Sequence, residues 1–371
     1  IEANIKTGKP YVLRLRSQGS PDKEITFVDA IKGEIKLPEN IHDIVLLKKD
    51  GIPTYHFAHA IDDHLMRTTT VVRGGEWLAS APIHYELFHL LGFKMPAYAH
   101  TAHLMKFDEE TGGKRKLSKR KDPELSLDYY RKDGYHPYTM KVYLLTLLNS
   151  NFEEWHEKFP DKDINEFPFS VEKMNQSGAL FDKDKLHNIC KNELSKLSEE
   201  ELYDFLYDWA KENEPENVEK WFGDREKMLQ ILRLYMGVGA KRRRKDLMYA
   251  KQIFELISYF FDGESAEEMD EFKLDEDMVS KILKSYLAKY DHNDDNSVWF
   301  NKLKEIADEH GFASDMKAYK ANPENFKGNV SDIAEAVRIA VTGRANTPDL
   351  WTIVHIMGEE QMTERIKKHI K

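Results

Sequence analysis

Apolar and polar positions follow a strand-like pattern over the first fifty residues and then change period. Tyr11-Val12-Leu13-Arg14-Leu15-Arg16 mixes apolar and basic positions, and Thr26-Phe27-Val28 is β-branched and aromatic. Ile44-Val45-Leu46-Leu47 runs into the Asp50-Gly51 turn signal. This predicts a half-buried antiparallel sheet over 10–50 with no direct catalytic role. Between 51 and 105 the pattern predicts a helix from near Thr54 carrying Tyr55, Ala58, His59 and Asp62. A strand over Thr68–Val72 follows, ending at Arg73-Gly74-Gly75-Glu76-Trp77. Pro82 opens a second helix through Leu91, closed by Gly92. Helix, strand, turn and helix make an α/β pattern. Ligands of open α/β sheets sit outside the carboxyl ends of the strands, which is where Arg73 falls.

From about residue 123 the helical period dominates. Ser198-Glu199-Glu200-Glu201 is a capping box, followed by Leu202, Phe205, Leu206 and Trp209 on one face. Similar stretches cover 225–236, 247–261, 277–290 and 297–310, the last stopped by Gly311, and Thr347-Pro348 reads as N-cap and first residue of another helix. Glu267–Asp277 and Asp291–Asp295 are acidic and read as linkers or exposed turns. There is no repeat of fixed period, and the clearest boundary lies near 195.

At 371 residues, with 41% hydrophobic and 32% charged positions, the chain can build two or more cores. The single cysteine, Cys190, leaves no internal disulfide framework and no cysteine-rich zinc site, so zinc is not expected; it fits a reducing, cytoplasmic compartment. No run of some eighteen apolar residues is present, so no membrane partner is expected. The net charge of -10 argues against indiscriminate coating of nucleic acid but leaves room for local basic surfaces. One such surface is Gly112-Gly113-Lys114-Arg115-Lys116-Leu117-Ser118-Lys119-Arg120-Lys121, with six basic residues in ten. It reads either as a solvated basic patch or as a loop gripping a nucleotide triphosphate. In the second case its lysines stabilise departing pyrophosphate and its glycines let it close.

Lys116-Leu117-Ser118-Lys119-Arg120 resembles the second signature of class I aminoacyl-tRNA synthetases, in the form typical of glutamyl-tRNA synthetases. The resemblance continues in order through Asp50–Ala58, Val71-Val72-Arg73-Gly74, Tyr98-Ala99-His100, Ser126–Tyr130, Asp133-Gly134-Tyr135, Ser177–Asp182 and Arg338–Gly343, so it covers nearly the whole chain. It implies a fold class: an α/β catalytic remnant, the second half of a Rossmann-type nucleotide fold, followed by a mainly α-helical anticodon-binding half. The implied division is 1–49, the β-rich end of an acceptor-binding insertion; 50–105, catalytic; and 106–195, a stem-contact region carrying the signature loop. The remainder, 196–371, is the anticodon-binding region, split near 265–275.

The resemblance implies an ATP-dependent ligase that joins L-glutamate to tRNA through glutamyl-adenylate. Lys116 and Lys119 would be catalytic, stabilising pyrophosphate. Lys116, Leu117, Ser118, Lys119 and Arg120, with Glu76 and Leu104, would hold ATP. Tyr55, His59 and Arg73 would hold glutamate, Arg73 through a bidentate grip on a carboxylate, against the plainer possibility of a surface ion pair. Lys241-Arg242-Arg243-Arg244-Lys245 would meet anticodon-loop phosphates, against a solvated helix end. Magnesium would accompany ATP as part of the substrate, with no protein carboxylate assignable to it. Partners are then ATP, L-glutamate and a glutamate tRNA, with a glutamine tRNA as a further possibility.

Three departures stand out. His59 replaces a common Asn, which bears on side-chain specificity. Lys185-Leu186-His187-Asn188 lacks the usual tryptophan, so that helix junction is expected to pack differently. The His-x-Gly-His signature has no counterpart before Lys116, and His355-Ile356-Met357-Gly358 is a coincidental echo. With the missing initiator Met, this leads to the expectation of a catalytically incomplete fragment whose basic loop lies open. Two rival readings are a glutaminyl-tRNA synthetase, which would end in β-barrels, and a non-catalytic tRNA-binding module.

Overall fold

The computed structural model describes residues 2–108, 110–261 and 269–371. It forms two compact units, 1–125 with 140–183 and 126–139 with 184–371. In this division the long run of the second unit begins at 184, and the helix Leu127–Asp133 belongs to it.

The first unit contains strands β1 (Leu13–Arg14), β2 (Glu24–Asp29), β3 (Gly33–Pro38), β4 (Val45–Leu47), β5 (Thr70–Gly74), β6 (Ala97–Thr101), β7 (Leu104–Phe107), β8 (Lys114–Lys116) and β9 (Ala179–Leu180). Alternation along β2 buries Ile25, Phe27 and Asp29 on one face, as a period of two requires. The antiparallel sheet expected over 10–50 is only partly present. β1 shrinks to two residues against β4, and β2 pairs antiparallel with β3, a strand the sequence reading passed over. β2 also runs parallel to β6, which runs parallel to β5, giving the mixed order β3-β2-β6-β5. β2 and β3 therefore belong to the same sheet as β5, which carries Arg73, while β1 and β4 pair separately.

The helix Tyr55–Leu65 starts as its pattern predicts. Thr54 does not cap it with its side chain; its Oγ1 donates to the Val45 carbonyl at 2.7 Å, tying the helix start to β4. The helix Ala81–Leu90 has Pro82 in its first turn and turns off at Gly92, φ +68°.

The second unit is helical. The Ser198 capping box opens Glu199–Asn213, and Asp224, Asp275 and Asp295 cap Arg225–Met236, Glu276–Lys289 and Asn296–Glu309. Thr347-Pro348 does not begin a helix. Asp349 is the cap, accepting from the Thr352 N–H at 2.9 Å, and the helix is Leu350–Met357. A continuous apolar core runs from Leu194 to Ile366. Among the described residues after Leu180 every named element is a helix. The acidic stretch 267–277 and the division near 265–275 lie partly outside the described residues; Asp275, Glu276 and Asp277 begin a helix. Where the Lys185–Asn188 departure falls, the His187 ring packs 5.8 Å from that of Tyr249. It bonds the Tyr135 hydroxyl at 2.9 Å, and Tyr135 stacks on Tyr249 at 4.6 Å, while Asn188 is exposed. No helix among the described residues is long and apolar enough to cross a membrane.

Gly134 ends its helix at φ +79°, and a Cβ there would overlap the Ala250 methyl and lie 2.8 Å from Trp209 Nε1. That indole donates to the Arg131 and Lys132 carbonyls. Gly134→Ala is expected to cost about 2–4 kcal/mol by combining left-handed strain with overpacking. Urea unfolding measures it, and a loss below about 0.5 kcal/mol contradicts the packing described.

Candidate active site

Two adjacent groups of side chains form at the carboxyl ends of β5 and β6. The first centres on Arg73. Its register partner across the parallel pair is His100, and Arg73 Nε donates to His100 Nε2 at 2.9 Å. His100 Nδ1 lies 2.6 Å from Asp29 Oδ2, which also accepts the His100 backbone N–H at 3.0 Å, and neither His100 nor Asp29 is exposed beyond 1%. Since Nε2 accepts, Nδ1 carries the proton and donates to Asp29.

On its other side Arg73 Nη1 lies 3.1 Å from His84 Nδ1, and His84 Nε2 lies 2.9 Å from His56 Nδ1. The guanidinium also reaches the Trp77 carbonyl at 3.5 Å and lies over the Tyr98 ring at 4.7 Å. Among the described residues, no carboxylate is within ion-pair distance of Arg73. The surface ion pair is therefore not what is found.

The imidazoles around this cation are held neutral. Burial pushes His84 down to about 2, with His59 and Arg73 adding to the effect. Burial lowers His56, with Arg73 contributing. It also lowers His59 and His100 against the opposing pull of Asp63 and Asp29. For Asp29, burial works against the charge, but bonds from the His100 side chain and from the Lys32, Ile31 and His100 backbone outweigh it and hold the carboxyl below its ordinary range.

Tyr55 is half exposed and packs against Trp77, ring centroids 4.3 Å apart, and parallel to His59 at 5.8 Å. His59 is less available. Its Nε2 is 2.7 Å from the Tyr98 hydroxyl, and its Nδ1 is 2.6 Å from Asp63 Oδ2 without hydrogen-bond alignment. Both ring nitrogens thus face protein groups.

The second group lines a cleft of about 510 Å³ that gathers Glu76, Leu104, Lys116, Leu117, Ser118 and Lys119. Arg120 is exposed and outside this lining. The basic stretch is not one open loop. Lys114–Lys116 form β8 against β7, because Arg115 grips both oxygens of Asp122 at 2.7 Å and Asp122 also accepts the Ser118 N–H at 2.8 Å. Arg115 first, and then the Ser118 N–H, hold the Asp122 carboxyl well below its ordinary range. Leu117 is buried beneath the turn at 2% exposure, leaving Lys116 and Lys119 exposed. Lys116 Nζ is 3.8 Å from Glu76 Oε2, with both side chains about half exposed, a pair of little strength.

In the second unit, Lys241–Lys245 lie in the loop after Arg225–Met236 rather than at a helix end. Arg242 and Arg244 line a groove of about 670 Å³ with Arg233 and Asp349. Arg244 pairs with Asp246 and Lys245 with Asn192, whereas among the described residues Lys241, Arg242 and Arg243 have no hydrogen-bonded or salt-bridged partner. No cluster of three or more His, Cys, Asp or Glu that could hold a metal ion occurs among the described residues.

The sequence reading missed Asp29, His84, His100 and Asp122 as site-shaping residues. The i, i+2 placement of Tyr98 and His100 on one strand was a usable signal for His100. Nothing local pointed to Asp29, which arrives from β2.

The first unit carries a basic-edged cleft at the ends of the parallel strands of a mixed sheet, the second unit is helical, and both match class I tRNA synthetase families. The family described as tRNA synthetases class I (E and Q), catalytic domain, matches residues 1–188, and the anticodon binding domain family matches 201–370. A glutamate–tRNA ligase of Acetivibrio thermocellus is 52% identical over 370 residues, covering 99% of this chain and 67% of the relative. One from Clostridium perfringens SM101 is 46% identical, with 99% and 66% covered. The solved glutamate–tRNA synthetase of Elizabethkingia anophelis superposes with a TM-score of 0.70 at 25% identity, covering 100% of this chain and 70% of that one. The chain belongs to the glutamate–tRNA ligase family of class I synthetases and spans about two thirds of the length of these relatives.

Neutral buried histidines make stability depend on pH in one direction. The unfolded histidines protonate near pH 6.5, whereas folded His84 stays neutral down to about pH 2. The His84 contribution to stability is therefore present above about pH 6.5 and is lost as pH falls, by about 1.4 kcal/mol per pH unit. Urea unfolding between pH 7.5 and 5 is expected to show this loss, with a shallower slope in His84→Gln. Equal slopes in the two proteins contradict the assignment.

Proposed function

We propose that the protein takes part in ligating L-glutamate to tRNA, with ATP and its magnesium as co-substrate. The observation that carries the reading is the pairing of an uncompensated arginine with a lysine-edged cleft at neighbouring strand ends. Glutamate attacks the α-phosphate of ATP, giving glutamyl-adenylate and pyrophosphate, and the tRNA terminal ribose then accepts the glutamyl group. Arg73 receives a glutamate carboxylate as a two-pronged donor, with exposed Tyr55 beside it. Lys116 and Lys119 neutralise the charge that grows on departing pyrophosphate. Glu76 and Leu104 flank the nucleotide, with Ser118 and Arg120 at the turn. His59 contributes to the glutamate pocket by fixing Tyr98, since both its nitrogens already face protein groups.

The helical second unit supports the glutamate reading over a glutaminyl enzyme with β-barrels. Lys241, Arg242 and Arg243 offer charge to anticodon-loop phosphates, and a purely tRNA-binding role would use this surface alone. The decisive assay is ATP–pyrophosphate exchange with L-glutamate and tRNA. It is run on this chain and on a version joined to the remaining third of the A. thermocellus relative. Glutamate-dependent exchange in the joined protein supports the reading, and its absence from both overturns it.

In the active protein, Lys119→Ala is expected to lower exchange by about 100-fold or more. A change under about threefold removes Lys119 from the mechanism. Replacing Lys241, Arg242 and Arg243 by Gln is expected to weaken tRNA binding. The slope of log affinity against log salt should flatten by about 2. An unchanged slope places tRNA elsewhere.

A further inference from the structure

The Arg73 guanidinium has five N–H groups: one on Nε and two on each terminal nitrogen. Nε–H is taken by His100 and one N–H of Nη1 by His84, while Nη2 makes its long contact to the Trp77 carbonyl. One N–H then remains on each terminal nitrogen, available to the oxygens of an anion. Which pair remains depends on His100 presenting a bare Nε2. That in turn depends on Asp29, whose Oδ2 holds the His100 proton on Nδ1 and anchors the His100 N–H. Asp29 Oδ1 is itself fixed by the Ile31 and Lys32 N–H groups at 2.9 Å, so the chain begins in a rigid turn after β2.

We propose that Asp29 and His100 are positioning residues for substrate recognition. They set the tautomer that aims Arg73, and a neutral acceptor at this place leaves the arginine's charge for the glutamate carboxylate. This rests on the functional reading above. Another carboxylate in direct contact with Arg73 would occupy the same donors and cancel the charge. With an imidazole between them, Asp29 orients the arginine without capping it.

Two substitutions at His100 separate aim from simple packing. His100→Gln can place its amide oxygen near the position of Nε2, preserving the acceptor for Arg73. His100→Asn can place its amide near Nδ1, preserving the donor to Asp29 but leaving Arg73 Nε unpartnered. In the exchange-active protein, His100→Asn is expected to raise the glutamate KM about 10- to 100-fold with the ATP KM unchanged, and His100→Gln to stay within about threefold of the parent. Thermal unfolding of both variants controls for folding. Independently of activity, nitrogen-15 spectra are expected to show an acceptor-type Nε2 on His100 and a slowly exchanging Arg73 Nε–H, retained in His100→Gln and lost in His100→Asn. Equal glutamate KM values in the two variants, or a protonated Nε2 on His100 in the parent, overturn the proposal while leaving the functional reading standing. If the parent shows the expected spectra but no glutamate-dependent exchange, the functional reading fails and the proposal falls with it.

Discussion

A positive charge surrounded by neutral acceptors is the constraint on which the first unit is organised. Arg73 is half buried, and its bonds go to two imidazoles and a carbonyl rather than to a carboxylate. Removing a charge from water without a counter-ion is costly. Here hydrogen bonds and the Tyr98 ring offset part of that cost, and among the described residues no carboxylate supplies a counter-ion. The arrangement works only while the imidazoles stay neutral, and burial keeps them so.

The fold supplies this environment from separate stretches of chain. β5 brings Arg73, β6 brings Tyr98 and His100, the end of β2 brings Asp29, and two helices bring His56, His59 and His84. Within this mixed sheet β2, β6 and β5 run parallel, which puts Asp29, His100 and Arg73 at one end of neighbouring strands. The cleft beside them depends on a different device. Asp122 captures Arg115 and the Ser118 N–H, so one basic residue of the run becomes structural and Lys116 and Lys119 are left outward. A bidentate pair inside a basic run thus sorts its charges into one that holds the turn and others left in solvent.

Much of this was legible in the chain. The helical periods, the Ser198 capping box, the Tyr55 helix and the placement of Arg73 at a strand end all follow local rules, and the structure keeps them. What was not legible was nonlocal or masked by charge. β3 is a short strand between Gly33 and Pro38 whose partner makes it a strand. β8 is hidden in a basic run because only the pairing with β7 and the Asp122 grip reveal it. Asp349 outcompeted Thr347 as a cap because its carboxylate reaches the Thr352 N–H. Asp29 and His84 could not be read as site residues, since their roles exist only once distant strands and a helix meet. The ordered resemblance to glutamyl-tRNA synthetases supplied the family, and the physical reading supplied the reasons these residues can serve it.

Under the proposed function, Arg73 keeps one donor on each terminal nitrogen for a substrate carboxylate. A crystal structure of the exchange-active protein with L-glutamate tests it most directly. The account predicts one glutamate carboxylate within hydrogen-bond distance of both Arg73 Nη1 and Nη2, with the Nε–His100 and His100–Asp29 bonds kept. Glutamate bound with both carboxylates away from Arg73, or an arginine that abandons His100 to reach it, would contradict the account.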